Sequence, residues 1–282
     1  MGKILYKLEI ISNETEAEIV RYILSIYAQF GWQEEENNNE VVFFVHCERL
    51  DILKHIEQEL LKSLSEIKCK FSDLEEKDWV LAWKEFFTPV KAGNNFIVLP
   101  PWLAKDNQDR IPIIIEPKSA FGTGHHATTA LCLDVISDLF DKGKINKNGN
   151  FLDLGTGSGI LAIALSKLGL SGYGLDIDPL AIDNALENKE INNVSSIKFN
   201  VGSVEIVKEN KFDLIVANIL SGPLIDMSKD IAKILNNKSI LILSGLLTTQ
   251  ADMVENAYIE CGLNKAQRYI DGEWCALEFT CP

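Results

Sequence analysis

Glycines at 155, 157 and 159 follow the apolar run Phe151-Leu-Asp-Leu154 and precede Ile160-Leu161. A strand that runs into such a turn and then into a helix lets backbone approach a ligand where a Cβ would collide. The same turn also serves as a tight connection, so the glycines alone decide little. Their spacing is G-x-G-x-G. A dinucleotide fingerprint needs a third glycine at 160, where Ile160 stands, and a phosphate-cradling P-loop needs Gly-Lys-Ser/Thr, which is absent. Asp153 lies just before the turn, where a carboxylate opposes a pyrophosphate but suits an ammonium or sulfonium group. A second carboxylate, Asp176, stands 21 residues after Gly155. Ending the next strand, it is placed to accept hydrogen bonds from a ribose diol. Asp178 followed by Pro179 suits the N-cap and first position of a helix, a structural role.

Alternating strands and helices must position these groups. From about Lys118 the pattern predicts a helix over 128–140, then strand 151–154, helix 159–168, strand 172–176, helix 179–192 and strand 197–200. It continues with strand 212–217, helix 223–235, strand 239–244, helix 250–261 and strands 265–270 and 275–280. That alternation specifies a mainly parallel, doubly wound α/β sheet. Residues 85–116 read as short strands, among them 96–99 and 111–116, punctuated by prolines.

The N-terminal part differs. Strand 3–11 is followed by a helix over 14–30, capped by Asn13, with Ile19, Ile23, Ile26 and Tyr27 on one face. Segments 32–36 and 41–47 flank three asparagines suited to a hairpin turn. A helix over 50–64 and a strand over 67–71 complete a βαββαβ order, the ferredoxin-like α+β unit. The expected organisation is a domain at 1–72, a linker at 73–84 in which Asp73 caps a short connecting helix, and the α/β domain at 85–282. Trp79 and Trp83 in that linker require burial.

The motifs together resemble the ribosomal protein L-eleven methyltransferase family. Asp153-Leu-Gly-Thr-Gly-Ser-Gly159 with Gly174-Leu-Asp-Ile-Asp-Pro179 looks like the S-adenosylmethionine site of Rossmann-like methyltransferases. Ala120-Phe-Gly-Thr-Gly-His-His-Ala-Thr-Thr129, Val216-Ala-Asn-Ile-Leu220 and Leu243-Ser-Gly-Leu-Leu247 narrow the match, with Gly272-Glu-Trp274 near the end. The likeness covers residues 79–282 well and the N-terminal part in outline. It implies methyl transfer from S-adenosylmethionine to amino groups, lysine side chains or an N-terminus, of a large-subunit ribosomal protein, free or on the subunit. It further implies that Gly155 and Gly157 line the methionine part of the cofactor, and that Asp176 binds the ribose. Thr129, Phe121, Gly122 and Thr123 close over the cofactor, and Asn218 faces the sulfonium and the incoming nitrogen. Asn218 also suits a helix N-cap, residues 121–124 an ordinary glycine loop, and His125 or His126 either packing or ligand contact. No dedicated general base is evident, so Asn218 is the catalytic candidate through positioning of the nucleophile.

Composition bounds the alternatives. The 282 residues are 46% hydrophobic and 24% charged, enough for two cored domains. Net charge is −14, and neither part is basic: residues 1–72 carry −5 and the rest −9. That disfavours binding to nucleic acid and favours a basic partner. Six dispersed cysteines and four histidines form no C-x-x-C or H-x-x-x-H pattern, so no metal is expected. No apolar run is long enough to cross a bilayer, and 1–11 lacks a signal-like core. A cytoplasmic, membrane-free monomer is expected. Ile160 disfavours a nicotinamide oxidoreductase. Asn218-Ile-Leu-Ser221 lacks the Asn-Pro-Pro-Tyr of many enzymes that methylate bases or glutamine amides. The closest remaining alternative is a methyltransferase acting on another protein or on nucleic acid. A protein-binding module without catalysis fits only the N-terminal part.

Overall fold

Asn13 ends one element and starts the next. It is the last residue of strand β1 (Ile4–Asn13), and its side chain accepts the Glu16 amide at 2.9 Å to cap helix α1 (Glu14–Tyr27). The computed structural model describes residues 4–28, 32–37, 40–47, 49–64, 67–75, 89–104, 109–116 and 126–282. The chain divides into two units, Met1–Phe87 and Thr88–Pro282.

In the first unit β2 (Gln33–Asn37), β3 (Glu40–Cys47), α2 (Leu50–Ser63) and β4 (Lys68–Glu75) follow α1. The sheet order is β2-β3-β1-β4, and every neighbouring pair is antiparallel. Strand alternation turns Leu8, Ile10, Val41, Phe43 and Val45 toward one face, where Val20 and Leu24 of α1 and Leu53, Ile56 and Leu60 of α2 cover them. Two expectations fail here. Ile23 is buried and Tyr27 packs on the core as expected, but Ile19 is 42% exposed, and Ala17, Val20 and Leu24 complete the buried stripe of α1, because its phase is set by the sheet it covers. Asp73 caps no helix: β4 continues to Glu75, its ladder with β1 running on to the Ile4–Glu75 pair. Continued ladder bonding overrides the capping preference, and a boundary at residue 72 falls inside a strand. Trp79 and Trp83 lie outside the described residues.

The second unit begins with a three-stranded sheet, β5 (Val90–Ala92), β6 (Phe96–Leu99) and β7 (Ile111–Ile114). Helix α3 (Ala127–Asp141) leads into β8 (Asn150–Leu154), α4 (Ile160–Lys167), β9 (Ser171–Asp176), α5 (Pro179–Ile191), β10 (Ile197–Val201) and β11 (Phe212–Asn218). Two short helices, α6 (Ser221–Asp226) and α7 (Ser228–Lys233), precede β12 (Leu235–Leu247), α8 (Ala251–Glu260), β13 (Gln267–Asp271) and β14 (Trp274–Thr280). The order β10-β9-β8-β11-β12-β14-β13 is that of a doubly wound, Rossmann-like sheet, parallel from β10 to β12, with β14 inserted antiparallel. Successive residues serve opposite layers. Phe151, Val216 and Ile242 pack on one side, and Leu152, Ile215 and Leu241 on the other. Strands buried on both faces read as unbroken apolar runs, as these do.

The single helix expected over 223–235 is two helices. It starts early, at Ser221, and breaks at Met227, which is the C-cap of the first helix and the N-cap of the second. Leu235 is not its end: it pairs with Phe212 as the first residue of β12. The sheet reverses its order between β8 and β11, so the crevice beyond their carboxyl ends is the place for a ligand.

Candidate active site

The turn after β8 has positive φ at Gly155 (74°), Gly157 (54°) and Gly159 (81°). A Cβ on Gly155 would lie 2.2 Å from Ile219 Cγ2, so the ends of β8 and β11 approach only because that residue is glycine. The amides of Gly155 and Thr156 donate to the Leu175 carbonyl at 2.8 and 2.9 Å. That of Gly157 donates to Asp176 Oδ2 at 2.9 Å. Asp176 Oδ1 accepts the Asp178 amide at 3.0 Å. A carboxylate oxygen accepts more than one hydrogen bond, so both oxygens retain capacity for a ligand. Asp178 caps α5 through the Leu180 amide at 2.9 Å, the structural role expected of it.

Asp153 does not line the cavity described below. It is wholly buried; Oδ2 accepts the Thr156 hydroxyl at 2.6 Å and the Ala162 amide at 3.0 Å. Oδ1 has no partner among the described residues. Burial pushes its carboxyl up to about 7, partly opposed by those two hydrogen bonds. Its charge is therefore not a cation site facing a ligand: Asp153 braces the turn against the first residues of α4.

Asn218 ends β11, and its Nδ2 donates to Thr129 Oγ1 at 3.2 Å. It is not a helix cap, because α6 begins at Ser221 with Leu220 in the cap position. With Nδ2 engaged, Oδ1 is the amide's acceptor. Thr129 is buried in the first turn of α3. His126 caps that helix, its Nδ1 at 2.8 Å from Thr128 Oγ1, and its ring meets Trp274 edge-on at 4.8 Å between centroids.

These groups border one cavity of about 660 Å³, within the range of small-molecule sites. Thr129, Gly155, Gly157, Asp176 and Asn218, separately expected as site residues, all line it. Phe121, Gly122, Thr123 and His125 lie outside the described residues. No Lys or Arg lines the cavity among the described residues, so a pyrophosphate finds no counter-charge there. The walls are mostly apolar, from Leu154, Ile160, Ile177 and Leu220.

Sequence reasoning missed Gly202, Ser203 and Met227, which complete the wall. Gly202 has a φ of +142° and directly follows β10, and its position beyond a parallel strand was the available signal. Met227 is drawn in by Ser203, whose hydroxyl donates to its sulfur at 3.2 Å, and this occurs where α6 breaks from α7. Gly245 also lines the cavity; a Cβ there would lie 2.4 Å from the Ile219 carbonyl oxygen.

The profile of the family described as ribosomal protein L11 methyltransferase matches residues 8–281. The ribosomal protein L11 methyltransferase of Legionella pneumophila (strain Corby) is 33% identical over 244 residues, 86% of this chain and 81% of that protein. That of Clostridium perfringens (strain SM101 / Type A) is 33% identical over 245 residues, 86% of this chain and 75% of that protein. Among solved structures, a ribosomal protein L11 methylase from Lactobacillus delbrueckii subsp. bulgaricus superposes with a TM-score of 0.61 at 31% identity. It covers 68% of this chain and 98% of that one.

Proposed function

The chain belongs to the ribosomal protein L11 methyltransferase family, and we propose that the cavity at the ends of β8, β9 and β11 is where its reaction takes place. The enzyme transfers methyl groups from S-adenosylmethionine to ribosomal protein L11. The acceptors in this reading are amines, lysine side chains or the N-terminal amino group.

The observation that carries the assignment is the meeting of Asp176 and the Thr129-anchored amide of Asn218 at one cavity with no Lys or Arg among its described lining residues. The cavity fits the cofactor chemically. Asp176 has acceptor capacity for two ribose hydroxyls, the turn at Gly155 and Gly157 admits the methionine part, and apolar walls suit the adenine. Phe121 and Thr123 belong to the same cofactor site in this reading. When bound, S-adenosylmethionine supplies an electrophilic methyl carbon on a sulfonium sulfur.

The protein's contribution is alignment and desolvation. An in-line displacement needs the attacking nitrogen, the methyl carbon and the departing sulfur on one axis, and holding that geometry lowers the barrier. Asn218 Oδ1, fixed by the Thr129 contact through Nδ2, accepts an N–H from the amine and directs its lone pair. The amine must arrive neutral, whereas lysine is charged in water at pH 7. Removing it from water lowers its pKa, because desolvation disfavours the ammonium. The proton that the acceptor amine sheds to become neutral would pass to solvent. No dedicated base is required.

The N-terminal unit, with its β2-β3-β1-β4 antiparallel order and two covering helices, supports a ferredoxin-like reading. It serves as the recognition domain, joined by the segment after Glu75. The net charge of −14 favours a basic ribosomal protein and disfavours nucleic acid as partner. We place the enzyme in the cytoplasm as a monomer, away from membranes; none of its described helices is long and apolar enough to cross one. Calorimetric titration with S-adenosylmethionine and with NADH tests the cofactor: the first binds and the second does not. Mass spectrometry of ribosomal protein L11 after incubation with enzyme and cofactor then identifies the methylated amines, and unmodified protein would overturn the substrate assignment.

A further inference from the structure

Helix α5 carries asparagines at 184 and 188 and ends in Asn192 as its C-cap, a spacing of four that puts all three on one face. Asparagine is a poor helix former, and all three are buried. Most buried amides are hydrogen-bonded, and where they are, the partners point to their purpose; Asn184 Nδ2 has no partner among the described residues, whereas Asn188 and Asn192 do.

Asn188, with no exposed surface, reaches in two directions. Its Nδ2 donates to the Ser158 carbonyl at 2.9 Å, inside the glycine turn. Its Oδ1 accepts the Glu116 amide at 2.9 Å, two residues beyond β7. Asn192 holds only the second of these segments: its Oδ1 accepts the Ile114 amide at 2.9 Å and its Nδ2 donates to the Ile114 carbonyl at 2.6 Å.

The turn needs outside restraint. Three of its five residues are glycines at positive φ, and glycine populates both signs of φ readily, so little local preference fixes the path. The restraints include the Leu175 carbonyl at its start, Asp153 at Thr156, Asp176 at Gly157 and Asn188 at Ser158. The first three come from β8 and β9. Of these four, Asn188 alone comes from α5, and it holds the turn at Ser158, next to α4.

We infer that Asn188 is a positioning residue for cofactor binding, tying the glycine turn to the chain leaving β7 so that the cavity wall is set before ligand arrives. A preset wall avoids the ordering cost that a mobile turn would impose on binding. The inference rests on the reading of the cavity as the S-adenosylmethionine site.

The test uses the full chain, calorimetric titration with S-adenosylmethionine, thermal melting, and steady-state kinetics on ribosomal protein L11. Asn188→Ala removes both contacts. Asn188→Ser is smaller and still polar, reaches neither partner, and serves where the alanine variant fails to fold. Asn192→Ala is the comparator, since it loosens Ile114 and leaves the turn's contacts intact. Either Asn188 variant is expected to bind the cofactor about tenfold more weakly, the effect of one lost buried hydrogen bond. KM for S-adenosylmethionine rises correspondingly while kcat at saturation stays within about twofold. Asn192→Ala lowers the melting temperature with affinity nearly unchanged. Wild-type affinity in the Asn188 variants overturns the inference alone, as does an equal loss in Asn192→Ala. A wild-type chain that takes up no S-adenosylmethionine overturns the cofactor assignment itself, and this inference with it.

Discussion

Asn218 Nδ2 donates to Thr129 Oγ1 at 3.2 Å, joining the end of β11 to the first turn of α3 across 89 residues of sequence. The bond settles which end of the amide is engaged and leaves Oδ1 as its acceptor. It also makes Thr129, itself a cavity-lining residue, part of the same device.

Thr129→Val keeps the shape and removes the hydroxyl. Asn218 Nδ2 then loses this acceptor and the amide is free to turn over. The expected result is a fall in kcat of about fivefold, near 1 kcal/mol, with smaller change in cofactor affinity. Asn218→Ala lowers kcat further, since it removes the directing oxygen. Single-turnover methylation of ribosomal protein L11 measures both, and undiminished turnover in Asn218→Ala removes that residue from the mechanism.

Asp176→Ala weakens S-adenosylmethionine binding by at least about tenfold. Charge-assisted hydrogen bonds to two hydroxyls contribute about 1.5–3 kcal/mol each. The carboxylate also accepts the Gly157 and Asp178 amides, so calorimetry should be paired with a melting curve. Unchanged affinity in the folded variant would contradict the ribose assignment.

The Asp153 carboxyl titrates at about 7 in the fold, well above the usual carboxylate range, because it is buried. Below pH 4 both folded and unfolded chains hold its proton and it contributes nothing. Between about 4 and 7 the unfolded chain releases the proton first, so stability falls as pH rises, levelling off above 7. Asp153→Asn abolishes this contribution. Urea unfolding of wild type and variant from pH 5 to 8 should show a shallower decline in the variant, and parallel curves would mean the carboxyl is already ionised at pH 5.

A chain starting at Lys84 is expected to bind S-adenosylmethionine and to methylate ribosomal protein L11 poorly. The described residues that line the cavity all belong to the second unit, and in the proposed reading the first supplies a tethered grip that keeps the substrate at high effective concentration. Circular dichroism must first show the shortened enzyme folded. Substrate modification as efficient as that of the whole chain would rule out a recognition role for the N-terminal unit.

The sequence by itself determined the order of elements and the identity of the turn. Strands buried on both faces announce themselves as apolar runs, and glycines at positive φ have few substitutes, so Phe151–Gly159 and Asp176 were legible without coordinates. Asp178 was legible for the same local reason, since its cap bonds an amide two residues away. What tertiary structure decided is what depends on residues far apart in the chain. Ile19 faces outward because the sheet, not the helix, sets which stripe is covered. Asp73 joined a strand because β1 offered it a ladder partner. Asp153 turned inward to Thr156 and Ala162, a direction that residue type cannot specify. The roles proposed for Asn188 and Asn218 depend on Ser158, Glu116 and Thr129, which the fold brings to them. A hydrogen bond between distant residues leaves little local signature, because its donor and acceptor are each ordinary until the fold places them together.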